Sequence, residues 1–215
     1  MKNNTTELVF ILDKSGSMAG LESDVTGGFN SMLGKQKKLE GECFITTVLF
    51  SNSTETLHDR LPVDEVKELG AEDYCVGGCT ALIDAIGETI RHISDIHKYA
   101  RSSDVPERTM FVIMTDGMEN ASRTYSSDKV KKMIEDKKKK DDWEFIFMGA
   151  NIDAVETAGN LGIAPVGSVD FKNDSTGQRL AYEVMNDAVT SYRSGRKLDQ
   201  SWKAKLQEDV EKRGR

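Results

Sequence analysis

Leu8-Val9-Phe10-Ile11-Leu12, followed without a break by Asp13-Lys14-Ser15-Gly16-Ser17, is the stretch that decides how this chain folds. Five apolar residues bounded by turn formers read as a strand buried on both faces. The strand runs into a carboxylate, and two hydroxyls follow at alternate positions of a glycine-containing turn. Oxygens at positions i, i+2 and i+4 of a curling chain can converge on one point. All three are hard donors, which suit Mg²⁺, Mn²⁺ or Ca²⁺ and suit soft metals poorly. The ordinary alternative for such residues before a helix is an N-cap.

Outward from this stretch, strands and helices alternate. Leu21 to Leu39 is predicted as a helix, with Val25, Phe29, Met32 and Leu33 on one face. Gly27-Gly28 inside it costs helix propensity and implies a close neighbour. Glu42 to Phe50 reads as a buried strand. The short turn Ser51-Asn52-Ser53 leads into the alternating segment Thr54 to Leu61, an antiparallel edge strand. Leu82 to Tyr99 is a helix with an isoleucine-rich face, and Arg108 to Thr115 is a buried strand ending at a second acid, Asp116. The remainder reads as helix Ser126 to Lys138, strand Trp143 to Met148, helix Val155 to Leu161, strand Ala164 to Val169 and helix Thr176 to Tyr192. The order predicts an α/β domain: a doubly wound, Rossmann-like sheet, mostly parallel with one antiparallel edge strand and helices on both faces. In such sheets ligands bind beyond the C-terminal strand ends near the switch point, where Asp13 and Asp116 share one rim.

The domain is expected over residues 1–195, with a charged C-terminal helical extension over 196–215. Leu198, Trp202, Leu206 and Val210 recur four apart in that extension. Such a stripe docks on its own domain or offers Trp202 as an anchor for a partner.

A formal net charge of −7 in 215 residues speaks against nucleic acid as a ligand. The lysine runs at 35–38 and 137–140 suit helix ends. No apolar stretch approaches the roughly 18 residues of a membrane helix, and residues 1–4 show no leader pattern, so a cytoplasmic protein is expected. Three cysteines cannot complete a disulfide framework, and Cys75 and Cys79 lack a second pair for zinc.

A third loop, Gly78-Cys79-Thr80-Ala81-Leu82, adds a hydroxyl at the start of the long helix. Strand-Asp13-x-Ser15-x-Ser17, this loop and Met114-Thr115-Asp116-Gly117 occur in the order of the metal-ion-dependent adhesion site of von Willebrand factor type A (vWA) domains. The chain resembles that family from about Glu7 to Gly195. The resemblance implies a metal held by Asp13, Ser15, Ser17, Thr80 and Asp116. Ser15 and Ser17 would bind directly, the two aspartates directly or through water, and Thr80 in either mode. Gly78, Gly117 and Glu119 would border the metal or the partner, Glu119 holding a water or lying solvated on the loop. The expected ion is Mg²⁺, alternatively Mn²⁺ or Ca²⁺.

By the same resemblance the chain is a binding module, not an enzyme. A partner protein would present Asp or Glu to a metal-bound position that these loops leave open. By analogy the partner belongs to a bacterial stress or tellurite-resistance system, or is an ATPase of a metal-insertion system. Two other readings stand beside it. One is a Mg²⁺-dependent phosphohydrolase with Asp13 as nucleophile, although Ser15 stands where such enzymes carry their general acid. The other is a structural subunit whose metal only orders the loops.

Overall fold

In the computed structural model, which describes residues 4–214, elements follow in the order β1 (Thr6–Asp13), α1 (Glu22–Gln36), β2 (Cys43–Phe50), β3 (Thr54–Pro62), α2 (Leu82–Tyr99), β4 (Arg108–Thr115), α3 (Ser127–Asp141), β5 (Glu144–Ala150), α4 (Ala154–Asn160), β6 (Ser168–Phe171), α5 (Ser175–Arg193) and α6 (Ala204–Arg213). Residues 1–3, read above as free of a leader pattern, and the final residue of the extension lie outside the described residues.

Every residue of β1 is buried, as its unbroken apolar run requires. Its neighbours explain this: the sheet order is β3-β2-β1-β4-β5-β6, so β1 is flanked by β2 and β4, both parallel to it. Only the β2–β3 pair is antiparallel. The chain builds one side of the sheet first and then crosses over to β4. The switch point therefore falls between the C-terminal ends of β1 and β4, where Asp13 and Asp116 lie.

Alternation along β1 sorts the core into two layers. Leu8, Phe10 and Leu12 pack with Phe29 and Leu33 of α1, Val184 and Met185 of α5, and Leu206 of α6. Val9 and Ile11 pack with Ile86 and Ile90 of α2, Val130 and Ile134 of α3, and Ala154 of α4. The glycine pair in α1 divides: a Cβ on Gly28 would lie 2.3 Å from the Tyr182 ring of α5, whereas Gly27 has nothing within 4 Å.

Of the boundaries that differ from the sequence reading, three have a cause in the contacts around them. The first half of the expected strand Ala164 to Val169 is a 3-10 turn, Pro165–Gly167, and β6 begins at Ser168. Pro165 has no N–H to give a ladder, and Gly167 passes so close to Phe145 that a Cβ would lie 2.5 Å from its carbonyl oxygen. Helix α1 stops at Gln36, three residues early, because the Arg193 guanidinium takes the Gln36 carbonyl at 2.7 Å and the Gly41 carbonyl at 3.1 Å. The extension is a 3-10 turn, Gln200–Lys203, opened by the Asp199 side chain, and then α6.

That extension lies on its own domain. Leu206 is fully buried, the Trp202 indole N–H donates to the Val166 carbonyl at 2.7 Å, and Lys203 donates to the Ser168 carbonyl at 2.8 Å. At its far end Arg213 reaches Asp174, the N-cap of α5, at 2.6 Å. Among the described residues no helix is long and apolar enough to cross a membrane.

At the opposite end of the sheet, the fully buried Glu7 meets Arg60 at 3.2 Å and His97 at 2.5 Å. Arg60 sits at φ +49° in β3, where the register with β2 shifts around Thr47.

Candidate metal centre

Each predicted ligand sits on a loop that a strand end or helix start holds in place. Asp13 closes β1 and Asp116 follows β4, and both are buried, at 3% and 2% exposure. The turn after β1 folds back on Asp13: the Ser15 N–H donates to Asp13 Oδ1 at 2.7 Å. Thr115 Oγ1 donates to Asp13 Oδ2 at 2.6 Å, and the Tyr74 hydroxyl donates to the Asp13 carbonyl.

Ser17 Oγ donates to Asp116 Oδ1 at 2.6 Å and lies 3.0 Å from Ser15 Oγ. A serine has one hydroxyl proton, and that of Ser17 is committed to Asp116, so Ser15 is the donor in the serine pair. The lone pairs of Ser15 Oγ are left to accept or to coordinate.

The third loop joins the other two through its backbone. Gly16 N–H donates to the Gly78 carbonyl at 3.1 Å, and Gly77 N–H to the Lys14 carbonyl at 2.8 Å. Gly78 stands at φ +82°, which an L side chain rarely adopts, and a Cβ there would lie 2.7 Å from the Asn52 amide. Thr80 and Asn120 hold each other, Thr80 N–H to Asn120 Oδ1 at 2.9 Å and Asn120 N–H to the Thr80 carbonyl at 3.0 Å. Gly117 lies between the hydroxyls: a Cβ on it would be 3.4 Å from Thr80 Oγ1 and 3.6 Å from Ser17 Oγ. Asp13, Ser15, Ser17, Thr80 and Asp116 are thus gathered on one rim.

Glu119 is engaged elsewhere. Its carboxylate accepts from the backbone N–H groups of Ile83, Ala121 and Ser122 at 2.7 to 2.9 Å, and so closes the start of α2. Trp202 lies against Val166, before β6, and not on the rim.

Two side chains that the sequence did not single out complete the setting. Asn173, in the β6–α5 loop, donates from Nδ2 to Asp116 Oδ2 at 2.7 Å, and Asn151 donates to the Asp116 carbonyl at 3.4 Å. The only hint in the sequence was their place: both follow a strand of the same parallel sheet and so fall on its C-terminal rim.

The donor set fits a hard divalent cation. Two buried carboxylates face one cluster of hydroxyls, and among the described residues neither meets a cationic side chain. Burial pushes the Asp116 carboxyl above its ordinary range and the Asp13 charge adds to this, against the hydrogen bonds from Ser17 and Asn173. An unneutralised pair of this kind calls for positive charge from outside. Among the described residues no three His, Cys, Asp or Glu side chains form a metal set, and Cys43, Cys75 and Cys79 are free thiols. A cation placed here would be met chiefly by hydroxyls and two acids.

The sequence of residues 1–139 matches the family model described as VWA domain containing CoxE-like protein. That is well over half of the chain, and the protein belongs to this vWA family. None of the curated proteins matches the chain significantly. Among solved structures, the von Willebrand factor type A protein from Catenulispora acidiphila superposes with a TM-score of 0.59 at 13% identity, covering 85% of this chain and 42% of that one. The ArnB paralog VWA2 from Sulfolobus acidocaldarius gives 0.55 at 19% identity, covering 87% and 45%. The proximal thread matrix protein 1 of the mussel byssus, solved with a zinc-occupied MIDAS motif, gives 0.57 at 11% identity, covering 86% and 45%. The chain spans less than half of each of these three chains, and the likeness to them is one of fold.

Proposed function

We propose that the rim formed by Asp13, Ser15, Ser17, Thr80 and Asp116 holds a divalent cation, Mg²⁺ in the first instance, and that the protein binds another protein through it. The observation that carries this reading is the pair of buried aspartates without a cationic neighbour among the described residues, with the donor chain Ser15–Ser17–Asp116 beside them. Ser15 and Ser17 would coordinate through hydroxyl oxygens, Thr80 would join from the third loop, and Asp13 and Asp116 would supply the negative charge. When bound, the ion supplies a Lewis-acid position for a carboxylate from outside. Five protein donors, two of them acids that need not bind directly, leave room for an Asp or Glu of the partner. The zinc-occupied MIDAS motif of the mussel protein, which shares this fold, supports a metal at this rim.

A binding role suits this geometry better than catalysis. Both Asp13 carboxylate oxygens are held by donors, one from the turn after β1 and one from the end of β4, and no histidine hydrogen-bonds to this cluster among the described residues. A nucleophilic carboxylate would lack an agent for proton transfer.

The test has two arms. Mg²⁺ at about 100 times its dissociation constant adds about 2.7 kcal/mol to stability. For a chain of this size that raises the melting temperature by roughly 5–10 °C. Asp116→Asn is expected to abolish that rise. Capture from a native extract with Mg²⁺ or with EDTA, using the same variant as control, then reports the partner. Binding that survives neutralisation of every acid in the partner's interface would refute the carboxylate-to-metal contact.

A further inference from the structure

We propose that Asn173, a residue outside the predicted ligand set, sets which divalent cation this site accepts, favouring Mg²⁺ or Mn²⁺ over Ca²⁺; the inference rests on the metal-binding reading above. Asn173 Nδ2 donates to Asp116 Oδ2 at 2.7 Å while Ser17 Oγ donates to Asp116 Oδ1 at 2.6 Å. On Asp13, Ser15 N–H and Thr115 Oγ1 occupy Oδ1 and Oδ2 in the same way, at 2.7 and 2.6 Å. All four carboxylate oxygens of the site therefore carry a protein donor, and each carboxylate plane is fixed from both sides.

Calcium takes six to eight oxygens, often by turning a carboxylate so that both of its oxygens face the ion. Magnesium needs a compact octahedron, keeps several waters, and is satisfied by one oxygen of a carboxylate. Asp116 turning toward bidentate binding would have to break the Asn173 contact. Asp13 is clamped by the turn after its own strand and by the end of the adjacent one, while on Asp116 Ser17 holds Oδ1 and Asn173, from the β6–α5 loop, holds Oδ2, the oxygen that has to swing for bidentate binding.

The Asn173 amide is itself oriented. Its Oδ1 accepts from Gln178 Nε2, on the first turn of α5, at 3.0 Å. A flipped Asn173 would set its carbonyl against the Asp116 carboxylate and its NH₂ against the Gln178 NH₂. Gln178 is fully buried, and its own Oε1 has no partner among the described residues. Turning that amide round to relieve Oε1 would place two carbonyl oxygens face to face. A buried acceptor is left unpaired while its NH₂ holds Asn173, which marks the Asp116–Asn173–Gln178 line as a device for orientation.

Calorimetric titration of the full chain with Mg²⁺, Mn²⁺ and Ca²⁺ tests the assignment, with Asn173→Ala and the shape-preserving Asn173→Asp. Wild type is expected to prefer Mg²⁺ over Ca²⁺ by about tenfold or more. Loss of the outer-sphere donor in Asn173→Ala should weaken Mg²⁺ by about 10-fold or more and bring the two affinities within about threefold. Asn173→Asp, which replaces the donor with an acceptor, should shift the preference toward Ca²⁺ whether or not the alanine variant folds. An unchanged Mg²⁺/Ca²⁺ ratio, with both affinities altered alike or not at all, would overturn the role of Asn173 and leave the metal site standing. A wild-type chain that binds none of the three ions would overturn both.

Discussion

At the scale of single residues, the rim is a small electrostatic problem solved with neutral groups. Hydroxyl and amide donors surround Asp13 and Asp116, and among the described residues no lysine or arginine pairs with them. The clustering of the candidate residues was legible because their spacing is local: Asp13, Ser15 and Ser17 lie on one turn, and Asp116 follows an obvious strand. Asn173 was not legible. In Lys172-Asn173-Asp174 it looks like an ordinary turn residue ahead of a helix cap, and its target is 57 positions away. Tyr74, 61 positions from the carbonyl it bonds, was hidden for the same reason.

A second residue away from the rim gives a pH prediction. His58 of β3 stacks on Phe29 of α1, and its Nδ1 has no partner among the described residues. Burial lowers its pKa below 6.5, with Lys37 acting the same way and Asp73 opposing. Below pH 6.5 the unfolded chain therefore takes up the proton before the folded one does. Stability contributed by this group falls as pH drops from 6.5 toward the lowered value and levels off beneath it. Denaturant unfolding at pH 7.0 and 5.5 should show a larger loss for wild type than for His58→Phe. Equal losses would exclude the residue as a source of acid sensitivity.

At the scale of elements, helix α1 shows how far local pattern reaches. Its apolar face was plain from Val25, Phe29, Met32 and Leu33, and all four are buried. Its end was not, because Arg193, which takes the Gln36 carbonyl, belongs to another helix. The glycine pair implied a close neighbour without saying which glycine met it. Gly28→Ala would drive a Cβ into the Tyr182 ring and should destabilise by about 1–3 kcal/mol. Gly27→Ala, facing open space, should stabilise by about 0.5–1 kcal/mol through helix propensity alone. Urea unfolding of both variants checks the contrast, and a loss of stability in both would mean that the pair is held as a unit. The β6 boundary was misjudged from sequence for a related reason: Pro165 reads as tolerable at a strand start, while the approach of Gly167 to Phe145 is tertiary.

At the scale of the whole molecule, the alternation of elements sufficed for the sheet, its antiparallel edge and its two helical layers. It also placed both acids at the switch point, since a parallel sheet puts every strand's C-terminal end on one side. What alternation cannot supply is where the extension goes, because its stripe is equally suited to any apolar surface. Here α6 packs on β6 and α5, from Trp202 near the start of β6 to Arg213 at the N-cap of α5.

The docking of α6 bears on what the borders of the sheet offer to other chains. A six-stranded open sheet has two borders whose backbone groups lack a neighbouring strand, and such borders recruit other chains. On one border, β3 is kinked by its register shift at Arg60 and carries charged side chains. On the other, β6 is only four residues long and has α6 laid against it. Removing residues 196–215 would uncover that side together with the pocket of Leu206, whose burial alone is worth about 1.5–3 kcal/mol. The shortened chain is expected to self-associate more strongly with rising concentration than the full chain in sedimentation velocity, and equal behaviour of the two would exclude this role for the extension. On that expectation residues 196–215 shield the β6 border of the sheet, a task separate from the one proposed for the Asp13–Asp116 rim.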